Sequence, residues 1–349
     1  VKVAAQAPRK GKGEDRDLAL YTGGLVLLNA AATLFGLWQG FWWAILFADF
    51  ILVVIIAERV EGRVAYRHQG LYKRVLAFGF PLLLLVTWEV MVSAGIVSAR
   101  WFPPPSRIAA ALWDLVVTFD RFNQTSLLGR PWLIPSVYPE EGWSGVARLF
   151  TESHVLATLM RVLAGFAIGA VPGILLGMAM GLNRAVRTML DATISAIYVL
   201  PKIAIFPLMM LIFPNPFGEG PKIAVVAISA FFLVAISTMA GVRGIDPVYL
   251  EVGRNYGAGP LQMLRHVIIP GALPIIFSGL RLALGTALIV VVAVEFIRSQ
   301  TGVGFLVFYY WQILVVEKMY AGLFVVMALG VGLTYGLQWL EGKAMPWRR

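Results

Sequence analysis

The chain contains no cysteine among its 349 residues, which excludes a disulfide framework and any thiolate metal site. Its three histidines, His68, His154 and His266, are too widely separated to form a local metal motif. Charge is scarce too. Asp, Glu, Lys and Arg make up 14% of the chain, against about 25% in soluble domains, so most of the polypeptide belongs in lipid. No nucleophile–base pair and no phosphate-cradling glycine loop is visible, which argues against an enzyme. The expectation is a non-catalytic protein with no metal and no cofactor of its own.

What is abundant is apolar: 59% of residues are hydrophobic. A spanning helix takes roughly 20 apolar residues, so the length accommodates about eight spans plus loops. The net charge of +10 fits basic cytoplasmic loops of a polytopic membrane protein better than nucleic-acid binding.

Residues 1–17 read as a basic cytoplasmic tail carrying Lys2, Arg9, Lys10, Lys12 and Arg16. The apolar run from Leu18 to Leu37 is too long for a signal-peptide core. It is followed, after a break at Gln39-Gly40, by a second run from Phe41 to Ala57, which makes a tight transmembrane hairpin within residues 18–74. Asp49 inside it is expected to make a polar contact between helices, because an acid at mid-membrane costs roughly 2.5–3.5 kcal/mol. Residues 58–74 are basic. The next spans are expected at 75–96, 154–180, 190–213, 222–242, 274–298 and 319–340. Residues 97–153 carry balanced charge and read as an external loop, whereas the alternate loops carry excess Lys and Arg. By the positive-inside rule both termini are cytoplasmic, as is the loop at 243–273.

That loop is amphipathic and heavily punctuated. Asp246-Pro247 is a helix start, with a capping carboxylate and a proline at the first helical position. Glu251 lies early in this helix, where negative charge suits the dipole. Gly257 and Gly259 stop it, and Pro260 begins a second short helix that Pro270 and Pro274 are expected to end. The result is a helix, a sharp turn and a helix between two spans: a docking element.

At these residues the chain resembles bacterial ABC importer permeases, whose cytoplasmic loop carries the pattern E-A-A-x3-G-x9-I-x-L-P. Glu251, Gly253, Gly257, Val267, Ile269 and Pro270 match its spacing without a gap, with Val252 and Gly253 in place of the two alanines. From residue 75 to 349 the chain is similar to the nitrate, sulfonate, taurine and bicarbonate branch. The stretches carrying this are PPPSRIAAALWDL (103–115), RVLAGFAIGAVPGILLG (161–177), YVLPKIAIFPLMMLIF (198–213) and SQTGVGFLV (299–307). The hairpin at 18–57 and the long external segment near 122–145 depart from the family.

The resemblance implies an all-α polytopic protein of the bacterial inner membrane, a six-helix type I permease core plus the N-terminal hairpin. It further implies a second permease copy, two cytoplasmic ATPase subunits that bind ATP and Mg, and an extracytoplasmic substrate-binding protein, with no nucleic acid involved. Glu251 and Gly257 are implied to couple the loop to the ATPase, together with Asp246, Gly253, Val267, Ile269 and Pro270. Arg254 and Arg265 either reach the ATPase or are solvated loop charges.

For the pathway, Lys202 is the informative residue, since an unpaired lysine deep in a span must face water, an acid or carbonyls. It either draws an anion through or forms a structural ion pair with Glu89 or Glu295. Glu295 and Arg298 fit a gate, a receptor contact or interfacial anchoring, the last being favoured. Gly165/Gly169 and Gly173/Gly177 are small-x3-small pairs that let helices approach closely. The alternative class is a transporter driven by an ion gradient, which Asp49, Glu89 and Glu295 keep open but which leaves the docking loop unexplained.

Overall fold

A computed structural model describes residues 12–64, 66–120 and 123–348. Most of the expected basic tail, residues 1–11, lies outside the described residues, as does Phe122 of the external segment. Among the described residues there is no strand, only two isolated bridges, Asp120 with Thr125 and Ser126 with Ser153. Seven helices are long and apolar enough to cross a membrane, and a bent pair supplies an eighth. This is an all-α polytopic membrane protein. The chain divides into two compact units at Arg107/Ile108.

In the first unit, α1 (Lys12–Leu34), α2 (Trp38–Glu61) and α3 (Gln69–Ser93) are the three long helices. The first already includes Lys12, earlier than the apolar run suggests. The hairpin turn also differs from the expected break at Gln39-Gly40: it is made by Gly36, at φ +63°. Gly36 N–H bonds to Thr33 O and Leu37 N–H to Ala32 O, the two bonds of a Schellman end, which needs a left-handed residue where Gly36 stands. Asn29 Nδ2 donates to Asp49 Oδ1 at 2.9 Å across α1 and α2, the interhelical polar contact expected of Asp49.

In the second unit, α4 (Pro105–Val117, beginning just before the boundary) and α5 (Ile134–Thr151) occupy the external segment, followed by α6 (His154–Leu182). Ser153 caps α6 by accepting from Leu156 N–H at 3.1 Å. Then come α7 (Arg184–Val199), α8 (Phe206–Ile212) and α9 (Glu219–Arg243). The single span expected at 190–213 is instead broken: α7 and the segment Lys202–Ile212 meet at 93°. Leu200 is extended at ψ 135° ahead of Pro201, as a residue before proline prefers, and Pro207 sits in the first turn of α8.

The central packing is α6 on α9. A methyl carbon placed on Gly169 would lie 2.1 Å from Ala227 O, and one on Gly177 2.4 Å from Ala235 O. The glycine spacing therefore serves close backbone approach. Val162 and Val226 join Leu284, Ala287, Leu288 and Val291 in the largest apolar core, which Leu337 closes.

After α9 come α10 (Pro247–Asn255), α11 (Pro260–Met263), a π-turn at Leu264–Ile268 and α12 (Ile269–Arg298). Here the expectation that Pro270 and Pro274 end the second short helix is corrected, for Pro260–Arg298 runs as one 39-residue helical stretch. Proline removes a donor and clashes with the preceding turn. The wider π-turn just upstream accommodates this without ending the helix. Last are α13 (Val303–Gln312), a short helix that periodicity did not announce, and α14 (Val316–Ala344).

Candidate functional site

The hairpin between α9 and α12 is built almost wholly from its own neighbours. Asp246 Oδ1 accepts from Val248 N–H at 2.9 Å, and Pro247 takes the first helical position. Gly257, at φ +75°, closes α10 with another Schellman end: its N–H bonds to Arg254 O at 2.9 Å, and Ala258 N–H bonds to Gly253 O at 3.1 Å. A side chain at 257 would meet open space, so the glycine is needed for its backbone conformation. Gln262 then reaches back to accept from Gly259 N–H at 2.8 Å, fixing the start of α11.

The two arms touch where the sequence pattern places small and branched residues. A methyl carbon on Gly253 would stand 2.5 Å from Met263 Sδ and 3.4 Å from Val267 Cγ2. Leu250 and Ile268 pack onto a buried base of Val242, Ile245, Ala272 and Ile276. With one side seated on the membrane core, the other is left open. Val248, Tyr249, Val252, Tyr256 and Leu261 are all exposed, Tyr256 at 88% and Leu261 at 74%. Glu251 and Arg265 are exposed beside them, and Ile269 and Pro270 begin α12 at the base. Arg254 borders a groove of about 710 Å³ with Leu261 and with Gly181 and Leu182 of α6. A rigid, membrane-anchored hairpin with an aromatic outer face is suited to seating in a partner and moving with it.

The three residues predicted for the pathway go to three different places. Lys202, at the break between α7 and α8, donates to the carbonyls of Tyr198 and Leu200 and lies 4.6 Å from the Tyr198 ring centre. Its partners are carbonyls rather than an acid. Glu89 caps α4, accepting from Ser106 N–H at 2.9 Å and Ser106 Oγ at 2.7 Å. Glu295 is 1% exposed and belongs to a buried charge cluster.

That cluster joins α6, α9, α12 and the turn ahead of α13. Arg161 Nη1 donates to Glu295 Oε1 at 2.6 Å and to Thr301 O at 2.7 Å. Its Nε and Nη2 grip both oxygens of Glu219, at 2.5 and 2.8 Å. Lys222 adds a bond to Glu219 at 3.0 Å. Glu295 also accepts from Thr158 Oγ1 and from Gly304 N–H. Every carboxylate oxygen is claimed, as the buried members Arg161, Lys222 and Glu295 require, while Glu219 closes the cluster from its exposed side. Sequence reading singled out Glu295 but not Arg161, Glu219 or Lys222. The signal was an arginine and a lysine inside apolar runs, each needing a partner.

The pattern of a family described as binding-protein-dependent transport system inner membrane component matches residues 173–344. The taurine transport system permease protein TauC of Escherichia coli is 30% identical, over 84% of this chain and 98% of that one. A putative aliphatic sulfonates transport permease protein SsuC of Bacillus subtilis is 28% identical, over 84% and 93%. The bicarbonate transport system permease protein CmpB of Synechococcus elongatus is 32% identical, over 54% and 67%.

Proposed function

The chain belongs to the family of binding-protein-dependent transport system inner membrane components, and from that premise we propose how this ABC importer permease works. ATP and Mg bind to a separate cytoplasmic ATPase, whose closure pushes on the hairpin at 246–268 and is transmitted into α9 and α12. The permease works as a homodimer beneath two ATPase subunits and receives cargo from an extracytoplasmic binding protein. The cargo is a small anion of the sulfonate, taurine, nitrate, bicarbonate or aromatic-acid kind; the names of the relatives support taurine, sulfonates and bicarbonate among these.

One observation carries the coupling role: the hairpin satisfies its own backbone, seats its inner side on the α9–α12 base, and leaves Tyr249, Val252, Tyr256 and Leu261 uncovered. An exposed aromatic and aliphatic patch of this kind marks a protein contact. Force applied there reaches α12 along the helical stretch that runs from Pro260 to Arg298.

The test is purification in mild detergent from the native host, comparing the parent with Gly257→Glu. The parent is expected to bring down an ATPase, and the variant to lose it or to hydrolyse ATP without uptake. Uptake that survives ATP depletion but collapses with the proton gradient would overturn the reading and favour an ion-driven carrier.

A further inference from the structure

At the ends of α9 and α12 away from the hairpin lies a pocket of about 540 Å³. Its charged lining is Glu219, Lys222 and Arg298, with Ser299, Gln300 and Thr301 supplying polar groups and Phe217 one aromatic wall.

The charges there do not cancel. The pocket and the cluster behind it contain three cations, Arg161, Lys222 and Arg298, against two carboxylates, Glu219 and Glu295. Both carboxylates are occupied. Glu219 is held by Arg161 and Lys222, and Glu295 by Arg161, Thr158 and Gly304 N–H. The cation left over is Arg298. Among the described residues it has no acidic partner, and its guanidinium lies 4.5 Å from the centre of the Phe217 ring.

Lys222 is 4% exposed. It donates to Glu219 and makes a second, longer contact of 3.4 Å on Ser299 Oγ, and it forms part of the pocket wall. Lys222 is thus paired with Glu219, and Arg298, exposed at the rim of the pocket, adds the positive charge that no carboxylate there answers.

We propose that this pocket is an oxyanion site at the external mouth of the permease. It would accept the sulfonate, carboxylate or nitrate-type head of the cargo between Arg298 and Lys222, with the Gln300 amide as a further donor. An arginine fork held over a ring and a second, buried cation present converging donors of the kind that oxyanions need. The proposal rests on the reading that the cargo is an anion, and it gives the permease its own recognition step.

The experiment uses the purified permease with its co-purifying ATPase in lipid nanodiscs at low salt, and measures equilibrium binding of radiolabelled taurine. Methanesulfonate, bicarbonate and nitrate serve as competitors, and choline as a cationic control. Saturable binding is expected, displaced by the oxyanions and not by choline. Arg298→Gln should weaken it by about tenfold, and Arg298→Lys, which keeps the charge but loses the planar fork, should fall between that variant and the parent. Elution volume checks that both variants are folded, which the exposed position of Arg298 favours.

Binding unchanged in Arg298→Gln, equal displacement by choline, or no saturable binding of any oxyanion at millimolar concentration would overturn the proposal. Because binding is read on the permease, loss of the ATPase with anion binding intact would sink the coupling reading alone. A coupled ATPase without Arg298-dependent binding would sink only this site.

Discussion

The two ends of the α9–α12 pair are built by opposite means. At the hairpin end, capping bonds link residues two to five apart, such as Asp246 to Val248 and Gly253 to Ala258. The outer face is left to solvent. At the other end, Arg161 is bonded to Glu219, Glu295 and Thr301, which lie 58, 134 and 140 residues away. All of its donors there are turned inward. A hairpin whose backbone is satisfied locally can be contacted and released without breaking its own bonds. An element that holds four segments together cannot do this, because the bonds are what join the segments.

This contrast is broken most severely at Arg161. Arg161→Met strands Glu295 and should destabilise the membrane body by about 3–5 kcal/mol, the usual cost of halving a buried ion pair. The melting midpoint of the solubilised protein measures it. Adding Glu295→Leu should recover part of that loss, and a double variant no better than the single would contradict the coupling between them.

Gly257→Ala should cost about 1–2 kcal/mol, the price of a left-handed residue with a side chain, but only locally. Hydrogen exchange should quicken in residues 246–263 while the body keeps its melting midpoint. Asp246→Ala removes the cap of α10 at about 1 kcal/mol, with Asp246→Asn close to the parent. The same exchange measurement reports both.

The smallest effect concerns a partly exposed pair that resembles the cluster only in composition. Asp114 Oδ2 lies 2.7 Å from Lys318 Nζ, and bonds from Lys318 and then Thr118 hold its carboxyl below the ordinary value. A depressed carboxyl stabilises the folded state above its unfolded value, near pH 4, and loses that contribution as pH falls through the folded value. Asp114→Asn should therefore cost less than about 1 kcal/mol at pH 7 and nothing in strong acid. An equal cost at both pH values would mean that the ion pair is not the cause.

Much of the hairpin was legible because its signals are local. Asp246-Pro247, Gly257 and Gly259-Pro260 each act on their own few residues, and the structure puts a cap, a left-handed turn and a helix start at those positions. Where reading erred, a local signal was outvoted. Pro270 and Pro274 look like helix ends, yet the upstream π-turn carries the helix through them. Gly36 took the turn that Gly40 was expected to make. The 93° break at Lys202 interrupts what reads as one span at 190–213.

By itself, then, the sequence determined the class of molecule, the approximate spans and the docking hairpin. Hydropathy, charge bias and capping are properties of a residue and its near neighbours, so they survive without a fold. Only the tertiary structure decided that Glu295 answers to Arg161, that Lys202 answers to carbonyls, and that Arg298 is the cation left without an acid. Which charges meet depends on how α6, α9 and α12 close over more than a hundred residues of chain. That closure is fixed by helix packing, such as the approach of Gly169 to Ala227, and no local pattern records it.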